Sequence, residues 1–239
     1  MVVIDVRPSL IESGYEEKPF DVAKALLEGA GYDIISLKQF ADLRIAQGKG
    51  SHAADYGDYT REGFLYVPQR GMFLVRNSPI MTNAKEATEC HRSRKEFYLT
   101  PEQVDEAMGK DGVDSVRFKS SKAIPFRRFG EDERTVFAFE DSAQKYGDFL
   151  EEAHIGTCIS EMPIYLAIVE NKPFAKQAWL RGLSGGGRSG LGGNDRGIYC
   201  VNSVRGWRSF DLKSVGTNKD ANGMQHTIEY RPEVMGCDL

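Results

Sequence analysis

The chain has 239 residues, 41% of them apolar and 28% charged, with a net charge of −4. This balance supports a folded core and excludes a disordered or fibrous protein. The longest apolar runs, such as IYLAIV at 164–169, are too short to cross a bilayer, and the start, MVVIDVRPS, lacks the pattern of a secretion signal, so a cytoplasmic protein with no membrane partner is expected.

VVIDV (2–6) reads as a buried strand. PFDVAKALLEGAG (19–31) sets Phe20, Ala23, Leu26 and Leu27 on one helical face, with Pro19 near its start and Gly29 or Gly31 at its end. YDIISL (32–37) reads as a second strand, completing a β-α-β unit with parallel strands. LKQFADLRIA (37–46) predicts a helix with Phe40, Leu43 and Ala46 inward, and 48–60 reads as a loop. GFLYVPQRGMFLVRN (63–77) predicts two strands joined around Pro68–Gly71, and Pro68 argues against both being uninterrupted central strands. Asn83 caps a helix expected to reach about Tyr98. Thr100, Pro101 and Gln103 mark a second helix start, a capping box, with Gly109 or Gly112 as its end.

VDSVRF (113–118) and RTVFAFE (134–140) read as strands, 141–152 as a short helix, and PIYLAIVE (163–170) as the most hydrophobic strand. Beyond Leu191 come short strands at 197–204, 207–212 and 226–231. No proline–serine linker, heptad run or internal repeat divides the chain. The expectation is an α+β fold: a single compact domain over 1–239 with a mixed sheet, an N-terminal β-α-β unit and a strand-rich, glycine-rich C-terminal third. A weaker division into 1–112 and 113–239 is the alternative.

Charge is segregated along the chain. Arg117, Lys119, Lys122, Arg127 and Arg128 lie within 115–130 without an acid, and 176–208 holds six basic residues against Asp195. Each segment is net +5 in a chain of −4, a pattern that suits a polyanion. The second segment contains LRGLSGGGRSGLGGNDRG (180–197), with eight glycines and three arginines. Gly182, Gly187, Arg188 and Ser189 match the spacing of a phosphate-binding loop, with arginine in place of lysine, but GLGGNDRG after Ser189 is a poor helix opening. The narrower expectation is close backbone approach to an anion at Gly185, Gly186 and Gly187, with Arg181, Arg188, Ser189 and Arg196 as contacts, Arg127 and Arg128 from the first segment, and Trp179 and Trp207 stacking on bases.

Glu170 and Lys172 follow the hydrophobic run two residues apart, the pattern of a metal-dependent nuclease strand; Asp141, Asp148 and Glu152 are the upstream choices for its second acid. His154 and Cys158 are spaced as helix neighbours but lack further ligands nearby, and His52, Asp55 and Asp58 read as a polar loop. Cys158 and Cys200 read as core residues, and the four cysteines as reduced thiols. No cofactor or structural metal is called for. The leading reading is a protein that binds RNA, DNA or a phosphate-bearing ligand. Its alternatives are an interaction subunit of a larger protein assembly and a Mg-dependent nuclease.

Overall fold

The computed structural model describes residues 3–5, 11–183, 189–193, 198, 202–209, 218–219 and 225–226. Its elements run β1 (Val3–Asp5), β2 (Ile11–Lys18), α1 (Phe20–Gly29), β3 (Asp33–Ile34), α2 (Leu37–Gln47), α3 (His52–Asp55), β4 (Asp58–Val67), β5 (Gly71–Val75), α4 (Pro79–Thr82), α5 (Ala84–Arg92), β6 (Phe97–Tyr98) and α6 (Pro101–Met108). They continue with β7 (Ser115–Phe118), β8 (Ile124–Pro125), α7 (Glu133–Phe139), α8 (Ala143–Ala153), β9 (Glu161–Met162), β10 (Ile164–Tyr165), β11 (Phe174–Leu180), β12 (Leu191–Gly192) and β13 (Asn202–Ser209).

Among the described residues, eleven of these strands join one mixed sheet with the central path β1-β2-β13-β4-β11-β12-β10. β2 and β3 both run antiparallel to β13, at Gly14↔Gly206 and Ile34↔Gly206. They are therefore parallel to each other with β13 between them, and β2-α1-β3 is the β-α-β unit. Its first strand is β2 rather than 2–6. IESGYEEK has no apolar alternation to announce a strand; pairing along the whole of β13 makes it one.

β4 is paired along both edges, to β5 and β11 over Gly63–Tyr66 and to β11 and β13 at Asp58–Tyr59. Pro68 lies in the turn beyond it and interrupts nothing. Burial on both faces explains the unbroken run FLYV. Phe64 and Tyr66 point into one core with Phe40, Phe118, Phe129, Phe139, Tyr146 and Phe174. Leu65 and Val67 point into the other with Phe20, Leu27, Phe73, Val75 and Val104. α2, α7 and α8 cover the first face, and α1, α5 and α6 the second.

Several elements depart from their local reading. RTVFAFE is helical: the Asp132 carboxylate accepts from the Arg134 amide at 3.0 Å, and Thr135, Ala138 and Phe139 fall on one buried face. PIYLAIVE forms strand only at Ile164–Tyr165, where β12 offers two residues of pairing; Ile168 is 88% exposed. The Asn83 helix stops at Arg92, Arg94 takes a positive φ of 58°, and Phe97–Tyr98 pairs with β11. The 48–60 loop holds α3 and the start of β4. The expected capping box of Thr100 with Gln103 is formed, and a second, Ser36 with Gln39, starts α2. No helix among the described residues is long and apolar enough to cross a membrane.

Candidate functional site

The base of the glycine–arginine segment is built on a buried arginine. α2 presents Leu37, Phe40, Ala41 and Leu43 to the core, and the same face carries Arg44, which is fully buried, while Ala46 is exposed. Arg44 donates to the carbonyls of Ala53 (2.7 Å), Tyr56 (2.9 Å), Leu180 (3.2 Å) and Arg181 (3.0 Å), and to the hydroxyls of Tyr146 (2.8 Å) and Ser189 (3.0 Å). The Phe40 ring covers the guanidinium at 4.2 Å. These acceptors come from α3 and its flank, the end of β11, α8 and the return of the segment. One side chain thus ties the segment's two ends to the core. Ser189 is itself fully buried with a φ of 47°, an uncommon conformation for a non-glycine residue, stabilised by Arg44 and by Tyr146 Oη at 2.6 Å.

Backbone contacts complete this base. The Arg181 amide donates to Gly190 (2.8 Å) and the Leu183 amide to Ala54 (2.9 Å); Leu191 donates to Pro163 (3.0 Å) and Gly193 to Tyr165 (2.8 Å). Gly182 is required by close approach: a Cβ there would collide with the carbonyl of Asp55 and the backbone of Tyr56. The side chains left at the surface are Arg181, Tyr56 (53% exposed) and Tyr165 (36% exposed), with the Tyr165 hydroxyl 3.5 Å from the Arg181 guanidinium. Gly185, Gly186, Gly187, Arg188 and Arg196 lie outside the described residues.

A second buried arginine stands beside this base. Arg205 of β13 donates to Asp58 of β4 at 2.9 Å, both fully buried, and to His52 Nδ1 at 2.8 Å. His52 stacks between Tyr15 and Tyr56, with ring centroids 3.9 and 4.6 Å apart. Of the polar-loop trio, His52 and Asp58 thus converge on Arg205, and among the described residues no group of three His, Cys, Asp or Glu can hold a metal ion.

The other candidate residues are spread over the molecule. Trp179 lies over Gly57 and packs against one core, while the half-buried Trp207 packs against the other, so the two rings form no common stacking platform. Arg127 pairs with Glu151 at 2.6 Å and Arg128 with Glu131 at 3.5 Å; Lys119 faces Glu133 at 3.5 Å. The first basic segment is thus met by acids from just beyond it and from α8. Lys176 pairs with Glu96 at 2.6 Å. Glu170 and Lys172 stand in an exposed turn rather than on a strand. Both engage Tyr98: its hydroxyl donates to Glu170 at 2.7 Å, and Lys172 sits 5.7 Å from its ring centroid. Asp141 is paired with Lys38 and Asp148 with Gln144. Cys158 is exposed rather than in the core, because the turn after α8 carries it outward, and Cys200 lies outside the described residues. His154 packs on Phe126, and burial, aided by Lys49, pushes its pKa down.

Arg44, Asp58 and Arg205 as buried anchors were missed by the sequence reading. The available signal was a cation four residues after Phe40 on an otherwise apolar helix face. Another buried acid, Glu62, accepts the Leu37 amide at 2.9 Å at the start of α2, and burial pushes its pKa up to about 7 against the pull of surrounding hydrogen bonds.

A solved protein reported under the words "Accommodation of massive sequence variation in Nanoarchaeota by the C-type lectin fold" matches this structure with a TM-score of 0.58, over 85% of this chain and 99% of that one. The chain has a C-type lectin-like fold. Identity between the two is 15%, so the likeness concerns architecture alone. No family model matches the chain, and the comparison with curated proteins finds no match.

Proposed function

We propose that this protein is a recognition module within a larger protein assembly, and that partners touch the surface around Tyr56, Tyr165 and Arg181 and the glycine–arginine segment that starts there. The observation that carries the reading is the Arg44 clamp. It holds Leu180–Arg181 and Ser189 to one buried cation, so the two ends of the 184–188 stretch are fixed by contacts that none of its own residues make. The C-type lectin fold of the Nanoarchaeota protein is described as accommodating massive sequence variation, which agrees with a scaffold of this kind. Exposed tyrosine and arginine are the residue types that most often dominate protein interfaces.

The test is a display library randomised at 184–188 and 194–197. Most members are expected to keep wild-type protease resistance and to lose the binding partners captured by the parent. Members that unfold as often as core variants would overturn the reading.

The exposed Arg181, together with Arg188 and Arg196 in the same segment, supports a second reading: an anionic partner, RNA or DNA included, with Gly185, Gly186 and Gly187 allowing close approach. Filter binding to single-stranded RNA and DNA at two salt concentrations checks it; the expected result is retention that weakens steeply with salt. No retention near physiological salt removes this reading. For the nuclease reading, no hydrogen bond or ion pair among the described residues brings a second acid to Glu170 or Lys172; both engage Tyr98.

A further inference from the structure

Arg205 dictates the protonation state of His52. A guanidinium carries only donors, so the nitrogen 2.8 Å from Arg205 Nη2, His52 Nδ1, must accept. His52 is therefore neutral, with its proton on Nε2. The groups that face it include Tyr15 from β2 and Tyr56 from its own turn, Arg205 from β13 and, behind Arg205, Asp58 from β4; Asp55 stands at the end of the same short helix. A proton added at Nδ1 turns this hydrogen bond into two donors facing each other. It also places a second positive charge beside a fully buried arginine whose carboxylate partner, Asp58, is already bonded to it.

The turn that carries His52 is also part of the segment's base. The carbonyls of Ala53 and Tyr56 accept from Arg44, and that of Ala54 accepts from the Leu183 amide. We propose that His52 is a pH-sensitive latch: its protonation detaches the 51–57 turn from Arg205 and loosens the base of the recognition segment at Arg181–Leu183. The regulatory meaning of the latch rests on the recognition reading above; the latch itself requires no partner.

Hydrogen exchange on the whole protein, corrected for intrinsic rates, tests it between roughly pH 7.5 and pH 5, the span in which histidines titrate. Protection of the Leu183 amide is expected to fall at least about tenfold at the lower pH, while the Phe64 and Leu74 amides of the β4–β5 ladder hold. The His52→Asn variant, which keeps an acceptor oxygen and does not titrate, is expected to show no such fall. Loosening that persists unchanged in His52→Asn overturns the latch. So does an unchanged Leu183 amide in wild type once ring-nitrogen NMR shows His52 protonated. If His52→Asn does not fold, the wild-type comparison of ring titration with Leu183 protection decides alone. A missing partner would count against the recognition reading and leave this exchange result intact, so the two failures are distinguishable.

Discussion

The molecule rests a good deal on a few buried charges, and each demands particular partners. Arg44 is satisfied by four carbonyls and two hydroxyls rather than by a carboxylate. Removing it strands several buried acceptors at once, and each carries its own desolvation penalty. Arg44→Leu is expected to lose about 3–5 kcal/mol in urea denaturation. Tyr146→Phe, which deletes one hydroxyl from the same network, is expected to lose only about 1 kcal/mol. Equal losses would show that the clamp matters no more than one of its members. Arg44→Lys is expected to fall well short of wild type, since an ammonium cannot span acceptors arranged around a planar fork.

At the scale of elements, α8 shows how packing overrides propensity. Gly147 stands inside this helix, where alanine would ordinarily add about 1 kcal/mol of stability. A Cβ at this position would collide with the Phe126 carbonyl and stand 3.1 Å from the Phe129 Cβ. Gly147→Ala is therefore expected to lower the melting temperature rather than raise it, by forcing α8 away from the 3-10 turn Phe126–Arg128. The same contest explains which elements could be read locally. The helices at Leu37–Gln47 and Pro101–Met108 carry their own start signals in Ser36 with Gln39 and Thr100 with Gln103. β2 carries no such signal and exists because β13 lies beside it. PIYLAIVE carries a strong strand signal and finds a partner strand for only two residues. A run such as RTVFAFE fits either period, and Asp132 at its head decides for the helix.

Across the whole molecule, Glu62 and His91 act on stability in opposite directions. Burial holds Glu62 at about 7, well above an ordinary carboxylate. Between roughly pH 4.5 and 7 the unfolded chain gives up this proton and the folded one keeps it, so stability falls as pH rises. Burial, with Lys176 nearby, holds His91 down at about 4. Between roughly pH 4 and 6.5 the unfolded chain gains a proton that the folded one refuses, so stability rises with pH. Each contribution is on the order of 3 kcal/mol, and over the shared window they offset each other. Relative to wild type, Glu62→Gln is expected to gain stability as pH rises from about 4.5 to 7, and His91→Gln to lose it from about 4 to 6.5. Denaturation midpoints measured across this range check both signs, and parallel profiles for the two variants would contradict them.

The sequence by itself determined the mixed α+β character, the helix over 37–46, the capped helix after Thr100 and the hairpin around Pro68–Gly71. These follow from signals within a few residues of each other: caps, turn residues, apolar periods. Tertiary structure decided that β13 lies between β2 and β3, that Lys119, Arg127 and Arg128 meet acids from beyond the 115–130 segment, and that Trp179 and Trp207 belong to opposite cores. It also decided the roles of Arg44 and Arg205. The local signal for Arg44 is its place on the apolar face of α2, and Arg205 has none among its chain neighbours. Each is buried because carbonyls, hydroxyls or a carboxylate from distant strands and helices converge on it, and such convergence is a property of the folded chain alone.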